Sequence, residues 1–169
     1  MNNIREIRAS DAENFLALSK ELDEKTKFML LEPGERTTTI SEQEERIRQI
    51  LTNNRETILV AEMNGRLVGY VAGLGGSYKR NRHKADIVIG ILVAYTGQGL
   101  GTRLLGALEQ WARDQHLHKL ELTVMGHNDR AINLYKKMGF VVEGVSVDSL
   151  LVDGRYVDEF DMAKILSVS

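Results

Sequence analysis

The chain has 169 residues, with 22 Lys and Arg against 24 Asp and Glu, a formal net charge of -2 and no cysteine. This length suffices for one domain that buries most of its apolar surface, and the balanced charge argues against a nucleic-acid-binding protein. The absence of cysteine excludes disulfides, thiolate nucleophiles and cysteine metal ligands.

No part of the sequence is typical of a membrane or secretory segment. No apolar run approaches the roughly 20 residues that a membrane helix needs, and residues 1–5 do not resemble a signal peptide. We therefore expect a single domain over residues 1–169, located in the cytoplasm and without a membrane or nucleic-acid partner.

The first part of the chain predicts a strand, two helices and a hairpin. Residues 4–8 alternate as a strand does, and a capping box at residues 41–44 predicts the start of the second helix. Residues 25–39 lie between the helices; we interpret them as a loop packed on the core, with a lid over a substrate pocket as the alternative. Asn64-Gly65 between two apolar runs predicts a hairpin with a type I′ turn.

A glycine-rich segment follows a buried strand and precedes a helix. Residues 87–93 are β-branched and apolar, as in a buried strand, whereas Leu100, Leu104 and Leu108 recur at helical spacing. The glycines at residues 97–101 therefore lie at a helix N-terminus. Unpaired N–H groups and the helix dipole favour a phosphate or pyrophosphate there.

The spacing of this loop leaves several ligands to consider. A nucleotide-hydrolase phosphate loop is excluded because no lysine precedes Thr102. A dinucleotide fingerprint has Thr102 or Leu104 in place of its third glycine, although Glu121 lies about 20 residues further on, where such folds place a ribose-binding acid. A connection that binds nothing is the remaining alternative, and the loop alone does not decide.

The last part of the chain predicts a short helix between strands. Residues 119–124 read as a strand, and strand, helix and strand in succession predict that it runs parallel to residues 87–93. Asn128 or Asp129 suits a helix N-cap and Gly139 the C′ position. Tyr135 lies on the apolar face of this helix, so in isolation it reads as a core tyrosine. Residues 141–152 and 156–163 flank Asp153-Gly154 and predict a final hairpin.

Two of these segments resemble motifs of the GNAT superfamily of N-acyltransferases. Residues 96–101 resemble the acyl-CoA signature [RQ]-x-x-G-x-[GA], except that Thr96 replaces Arg or Gln, and residues 128–140 match N-x-x-A-x-x-x-Y-x-x-x-G-F at every named position. The resemblance implies a single-domain α/β (α+β) fold. Its central mixed, mostly antiparallel sheet of six to seven strands has helices on both faces, and its central parallel strands splay apart.

The resemblance also implies an activity. The chain is expected to be an N-acetyltransferase that moves the acetyl group of acetyl-CoA, its cosubstrate, to a primary amine by direct attack in a ternary complex. The amine is a small molecule, an amino acid or a protein N-terminus. By resemblance, the pantetheine arm is contacted by the backbone of Leu92 and Val93 and by the side chain of Asn128. Tyr135 is expected to protonate the leaving thiolate. The pyrophosphate is expected to be held by the glycine loop and the first turn of the helix: Gly97, Gln98, Gly99, Leu100, Gly101 and Thr102.

The general base is less clearly indicated. Asp86 resembles the position of a glutamate in some family members, but it is one methylene shorter and would act through water. Glu121 and Glu32 are alternatives. We expect no metal, because His116 and His118 lack a nearby set of further ligands.

Two functions from other classes stay open at this stage: a non-catalytic acyl-CoA-binding sensor and a dinucleotide-dependent oxidoreductase. The family resemblance also suggests a homodimer formed through the last strands.

Overall fold

A seven-stranded mixed sheet forms the middle layer of the structure, a computed structural model that describes residues 3–166. Met1, Asn2 and residues 167–169 belong to the predicted domain but lie outside the described residues. The strands are β1 (Asn3–Glu6), β2 (Glu56–Met63), β3 (Arg66–Gly75), β4 (Lys84–Ile91), β5 (Lys119–Met125), β6 (Val141–Val152) and β7 (Arg155–Ile165). The helices are α1 (Ala12–Lys25), α2 (Ile40–Leu51), α3 (Leu100–Asp114) and α4 (Asp129–Lys137).

The strand order is β1-β2-β3-β4-β5-β7-β6, and only the β4–β5 pair is parallel. Helices cover both faces. On one face the ring of Phe15 in α1 packs edge-on against Tyr70, with centroids 5.1 Å apart. On the other, Trp111 of α3 lies over Gly73, where a Cβ would come within 2.7 Å of the indole. The predicted fold class is thus confirmed, and no helix of residues 3–166 has the length and apolarity to cross a bilayer.

Both predicted hairpins form around left-handed turn residues. Asn64 and Gly65 have φ angles of 53° and 79°, and Asp153 and Gly154 have 50° and 76°. A two-residue turn with positive φ at both centres matches the twist of antiparallel strands. Local turn chemistry therefore sets the register of the strand residues next to each turn, and bulges at residues 61–62 of β2 and at residues 142–144 and 146–150 of β6 shift it further along.

The helix α2 begins two residues earlier than predicted. Thr39 is the N-cap, and its hydroxyl accepts from the Glu42 N–H while the Glu42 carboxylate accepts from the Thr39 N–H, both at 3.1 Å. The capping box predicted at residues 41–44 is therefore wrong. Two boxes overlap in the sequence, and the extended backbone at Thr39 selects the first.

The central parallel strands pair over only a short length. Their register contains three pairs, Lys84 with Lys119, Ala85 with Leu120 and Asp86 with Glu121. Beyond these pairs β4 continues to Ile91 beside β3, and β5 continues to Met125 beside β7. The sheet consequently opens into a gap between β4 and β5, as the family resemblance predicts.

Candidate active site

The backbone of β4 lines one side of this gap. The Leu92 N–H donates to the Val68 carbonyl at 3.0 Å, so Leu92 is bonded to the β3 side. Antiparallel strands alternate the direction of their backbone groups, which turns those of Ile89 and Ile91 toward β5. Neither residue has a partner in the β4–β5 register. Ile89 and Ile91 thus present strand-like donors and acceptors to the gap.

This geometry refines the predicted pantetheine contacts. Leu92 was expected to bind through its backbone, but its N–H is used within the sheet and its carbonyl accepts from the Tyr95 N–H at 2.8 Å. The Val93 carbonyl accepts from the Thr96 N–H at 3.2 Å. The sequence could have pointed to Ile89 and Ile91 only if the ladder register were known, because apolar patterning does not show which backbone groups face the partner strand.

The glycine loop leaves open space in front of α3. Gly97 and Gly99 have φ angles of 73° and 81°, and a Cβ at either position would meet no atom within 4 Å. Gly99 is the N-cap, so the first N–H groups of the 15-residue helix α3 point out of the loop. The Gln98 side chain turns back to donate to the Ala94 carbonyl at 3.2 Å. The loop is therefore a concavity lined by backbone groups, a geometry that suits an anion.

Gly101 brings the two sequence motifs together. A Cβ at this position would lie 2.6 Å from Cδ2 of Leu134 and 3.5 Å from Cδ1 of Ile91. Helix α4 therefore packs closely against the first turn of α3 beside the end of β4. The missing side chain explains why a small residue occurs here in the signature.

Tyr135 is a buried residue of α4, the helix that packs beside the end of β4. The residue is 6% exposed, and its ring centroid lies 6.0 Å from that of Phe140. Burial raises the pKa of Tyr135, with a further contribution from Tyr70. At neutral pH the Tyr135 hydroxyl is protonated.

The predicted pantetheine contact Asn128 also caps α4. Its side-chain oxygen accepts from the Ala131 N–H at 3.3 Å, which satisfies one of the donors at the helix start. The preceding residue, His127, packs its ring against Phe28 at a centroid distance of 5.0 Å. This contact brings the loop at residues 26–39 over the end of β5.

The loop at residues 26–39 forms one wall of a cavity. Arg36 anchors it by donating at 2.8 Å to Asp23, which is 2% exposed. The cavity measures about 150 Å³ and lies between this loop, Met125 and the β6–β7 hairpin. Glu32, a candidate base, lines it, and its N–H donates to the Glu35 carboxylate at 2.7 Å. The loop is thus anchored to the core and bounds a cavity; that it is a lid over a substrate pocket stays a prediction.

Asp86 and Glu121 face each other at the last paired position of β4 and β5. Burial tends to raise the pKa of Glu121, but hydrogen bonds from Lys84 and Lys119 outweigh it and the pKa is lowered. The Asp86 side chain is exposed, yet its pKa is raised, first by partial desolvation and then by the charge of Glu121. Of the two carboxylates, Asp86 is the stronger base and Glu121 is held in ion pairs.

The histidines do not assemble a metal site. The rings of His83 and His118 have centroids 6.2 Å apart. Within residues 3–166, no three His, Asp or Glu side chains come close enough to hold an ion. The expectation that the protein uses no metal stays a prediction.

The parallel pair that opens beside a glycine loop defines an acyl-CoA-dependent acyltransferase site. The gap can receive an extended pantetheine arm, and the loop can receive a pyrophosphate. Helix α4, which carries the protonated phenol of Tyr135, packs beside Gly101 and the end of β4. The chemistry of these residues fits acetyl-CoA, because β4 offers backbone groups outside the β4–β5 register and Gly97 and Gly99 leave open space in front of α3.

Comparison with known proteins agrees. The model of the acetyltransferase (GNAT) family matches residues 20–140, and the chain belongs to this family. It is similar to the L-amino acid N-acetyltransferase AaaT of Escherichia coli K12, with 32% identity over 63% of this chain and 67% of AaaT. The protein is accordingly an acetyl-CoA-dependent N-acetyltransferase, which decides against the dinucleotide interpretation of the loop.

Two solved structures extend the similarity over nearly the whole chain. A GNAT-family acetyltransferase from Streptococcus pneumoniae superposes with a TM-score of 0.94 at 31% identity, covering 98% of this chain and 100% of its own. The spermidine N-acetyltransferase from Vibrio cholerae, solved with CoA and spermine, has a TM-score of 0.79 at 25% identity, covering 97% and 95%.

Proposed function

We propose that this protein transfers acetyl from acetyl-CoA directly to a primary amine, with Tyr135 as general acid and Asp86 as a base acting through water. The observation that carries the proposal is the three-pair β4–β5 ladder, which opens the sheet beside the loop at the α3 N-terminus. Residues 97–102 would hold the pyrophosphate. Ile89, Ile91 and Val93 would bind the pantetheine arm by their backbone, and Asn128 by its side chain.

The reaction needs proton transfers at two places: the attacking nitrogen loses protons, and the departing sulfur gains one. An alkyl ammonium with a pKa near 10.4 must lose a proton before its nitrogen bonds to the acetyl carbon. Asp86 would receive that proton through a chain of several waters. The diverging end of β4 at Gly90 lies four residues beyond Asp86, which is roughly 13 Å at about 3.3 Å per residue. Backbone N–H groups of the diverging β4 would stabilise the oxyanion.

Tyr135 would complete the reaction as the C–S bond breaks. Its hydroxyl donates a proton to the departing sulfur, and the acetylated nitrogen loses its second proton to water. The phenolate is then reprotonated from solvent, and Asp86 releases the proton that it received, so one proton is set free in each turnover. Burial raises the pKa of Tyr135, so the group keeps its proton until the thiolate forms. The chain has no cysteine to carry an acyl group, which supports direct transfer in a ternary complex over a covalent intermediate.

Acidic side chains that share one face of the sheet support a cationic acceptor. The cross-strand register places Asp161 and Glu159 of β7 on the same face as Glu121 and Asp86. Lys84 and Lys119 form ion pairs with Glu121, and the charge of Lys84 also acts on Asp86, so two lysines stand against four carboxylates. A face with surplus negative charge attracts amines with a net positive charge more strongly than amines that also carry a carboxylate. Among the similar proteins described above, one is named as an L-amino acid N-acetyltransferase and another as a spermidine N-acetyltransferase. Amino acids and polyamines are therefore the two acceptor classes to compare.

The proposal is tested by release of CoA thiol from acetyl-CoA across a panel of polyamines, L-amino acids and peptides with free N-termini. The absence of cysteine keeps the protein silent in a thiol assay. We expect turnover with at least one amine class, fastest with polyamines and slowed by salt. Binding of acetyl-CoA without turnover of any amine would favour the sensor hypothesis.

Asp86→Asn tests the base. We expect kcat/KM to fall by about 10²-fold, the low end of the range for acid–base groups. Because the folded-state pKa of Asp86 is raised, its charge opposes folding above the unfolded pKa, so the Asn variant should be no less stable at neutral pH. Thermal melts measure the stability of the variant, and initial rates measure its kcat/KM. Asp114→Asn, at the far end of α3, is the matched control, and equal rates in the two variants would rule out Asp86 as the base.

We also propose a homodimer that forms along β6, in the cytoplasm. The edge strand β6 exposes apolar side chains, with Val147 74% and Val141 62% accessible, and its outer edge lacks a partner strand among the described residues. Such an edge favours pairing with a second copy. Light scattering should show a dimer that Val147→Lys shifts to monomer and that Tyr78→Lys, at an equally exposed position, does not. A wild-type monomer at every concentration would contradict the dimer.

A further inference from the structure

A side chain from α4 reaches the glycine loop at the position where the acyl-CoA signature is incomplete. Nη1 of Arg130 donates a hydrogen bond to the Thr96 hydroxyl. That hydroxyl in turn donates to the Val93 carbonyl at 2.7 Å. The Thr96 hydroxyl therefore links Arg130 by hydrogen bonds to the backbone just after β4.

The location of Arg130 is unusual for a cation. It lies in the first turn of α4, directly after Asp129, where the helix dipole disfavours positive charge. Helix stability therefore does not explain an arginine there. The N-cap of α3 lies three residues after Thr96, so Arg130 adds a full positive charge close to the first N–H groups of that helix.

The chemistry of the group suits a diphosphate. A guanidinium carries five N–H donors in a planar fork, and the Thr96 hydroxyl accepts from only one nitrogen. The remaining donors match the oxygens of a phosphate, which arginine binds in bidentate fashion more effectively than lysine.

We infer that Arg130, which is held in place by Thr96, is a cation that binds the pyrophosphate of acetyl-CoA. Arg130 of α4 thereby takes the role of the Arg or Gln side chain that the signature has at position 96 and that this loop lacks. This inference rests on the acetyl-CoA site proposed above. Arg130 acts in binding and makes no contact with the reacting carbonyl.

The test compares acetyl donors that differ in their phosphates. In Arg130→Gln the KM for acetyl-CoA should rise about 10-fold to 100-fold, as expected for loss of a charge-assisted hydrogen bond, with kcat unchanged. The same rise is expected with acetyl-dephospho-CoA, which keeps the pyrophosphate. S-acetylpantetheine, which has no phosphate, should show equal KM values for wild type and variant.

Two further variants separate binding from structure. The double variant Thr96→Arg with Arg130→Gln should recover most of the affinity, because it places the cation directly on the loop. Lys137→Gln removes a positive charge from the opposite end of α4 and should leave the KM unchanged. Calorimetric titration with CoA itself should reproduce the order of affinities without any turnover.

Each other result has a definite meaning. An unchanged KM in Arg130→Gln, or an equal loss with S-acetylpantetheine, would overturn the inference while leaving the transferase intact. A rise that disappears with acetyl-dephospho-CoA would overturn the pyrophosphate assignment, since the ribose 3′-phosphate would then be the partner. A wild-type protein that neither binds CoA nor turns over would overturn the proposed function itself.

Discussion

Replacing Tyr135 by phenylalanine should lower kcat by about 10²-fold or more, because general acid catalysis contributes about 10²–10⁴-fold. The substitution removes only the hydroxyl, and the phenyl ring keeps its packing near Phe140. The KM for acetyl-CoA and the melting temperature should therefore change little. Initial rates of thiol release under saturating acetyl-CoA measure the effect.

The pH dependence separates the acid from other roles of this tyrosine. Because burial raises the pKa of Tyr135 above its ordinary value near 10, the phenol stays protonated in the folded protein. The wild-type rate should rise with pH as the amine acceptor loses its proton and show no loss due to this group below about pH 10. Ionisation opposes folding only above that pH, since the native state then binds more protons than the unfolded state.

A matched control and a contradicting result complete this test. Tyr78→Phe removes a hydroxyl from an exposed tyrosine in the loop after β3 and should leave every parameter unchanged. If Tyr135→Phe retained full kcat, the residue would be a core tyrosine only. The family assignment would stand, but the leaving thiolate would take its proton from solvent.

Replacing Gly99 by valine should raise the KM for acetyl-CoA at least about 10-fold, through loss of contacts with charged oxygens. Gly99 has a φ of 81°, and a Cβ there would meet no protein atom within 4 Å. The valine side chain would instead occupy the space before the first N–H groups of α3. Ligand would be excluded without a clash inside the protein.

The conformational strain in this variant needs its own control. A β-branched residue at positive φ costs about 1–2 kcal/mol wherever it occurs. Gly65→Val introduces the same strain at φ 79° in the β2–β3 turn, again with no atom within 4 Å. Both variants should lose a similar amount of stability in thermal melts, but only Gly99→Val should lose acetyl-CoA affinity. Equal KM values in the two would show that the loop does not hold the anion.

The elements that could be predicted from the sequence are those set by local chemistry. Asn64-Gly65 and Asp153-Gly154 require turns whatever surrounds them, and both hairpins form. The position of α2 was misplaced because two capping boxes overlap there, and only the backbone conformation at Thr39 distinguishes them.

What could not be predicted depends on contacts between distant segments. The pairing of Asp86 with Glu121 arises from the parallel register, which no local pattern encodes. The antiparallel β3–β4 ladder decides that the backbone groups of Ile89 and Ile91 face the gap. The bond from Arg130 to Thr96 joins two helix N-termini that sequence motifs treat separately.

The central claim is direct acetyl transfer in a ternary complex, and initial-velocity kinetics with both substrates varied tests it most directly. Thiol release and acetylated amine should be measured in the same reactions with the best acceptor of the panel. The account predicts equal amounts of the two products and intersecting double-reciprocal lines. Parallel lines, with acetylated protein detected by mass spectrometry in the absence of amine, would show a covalent intermediate and contradict it.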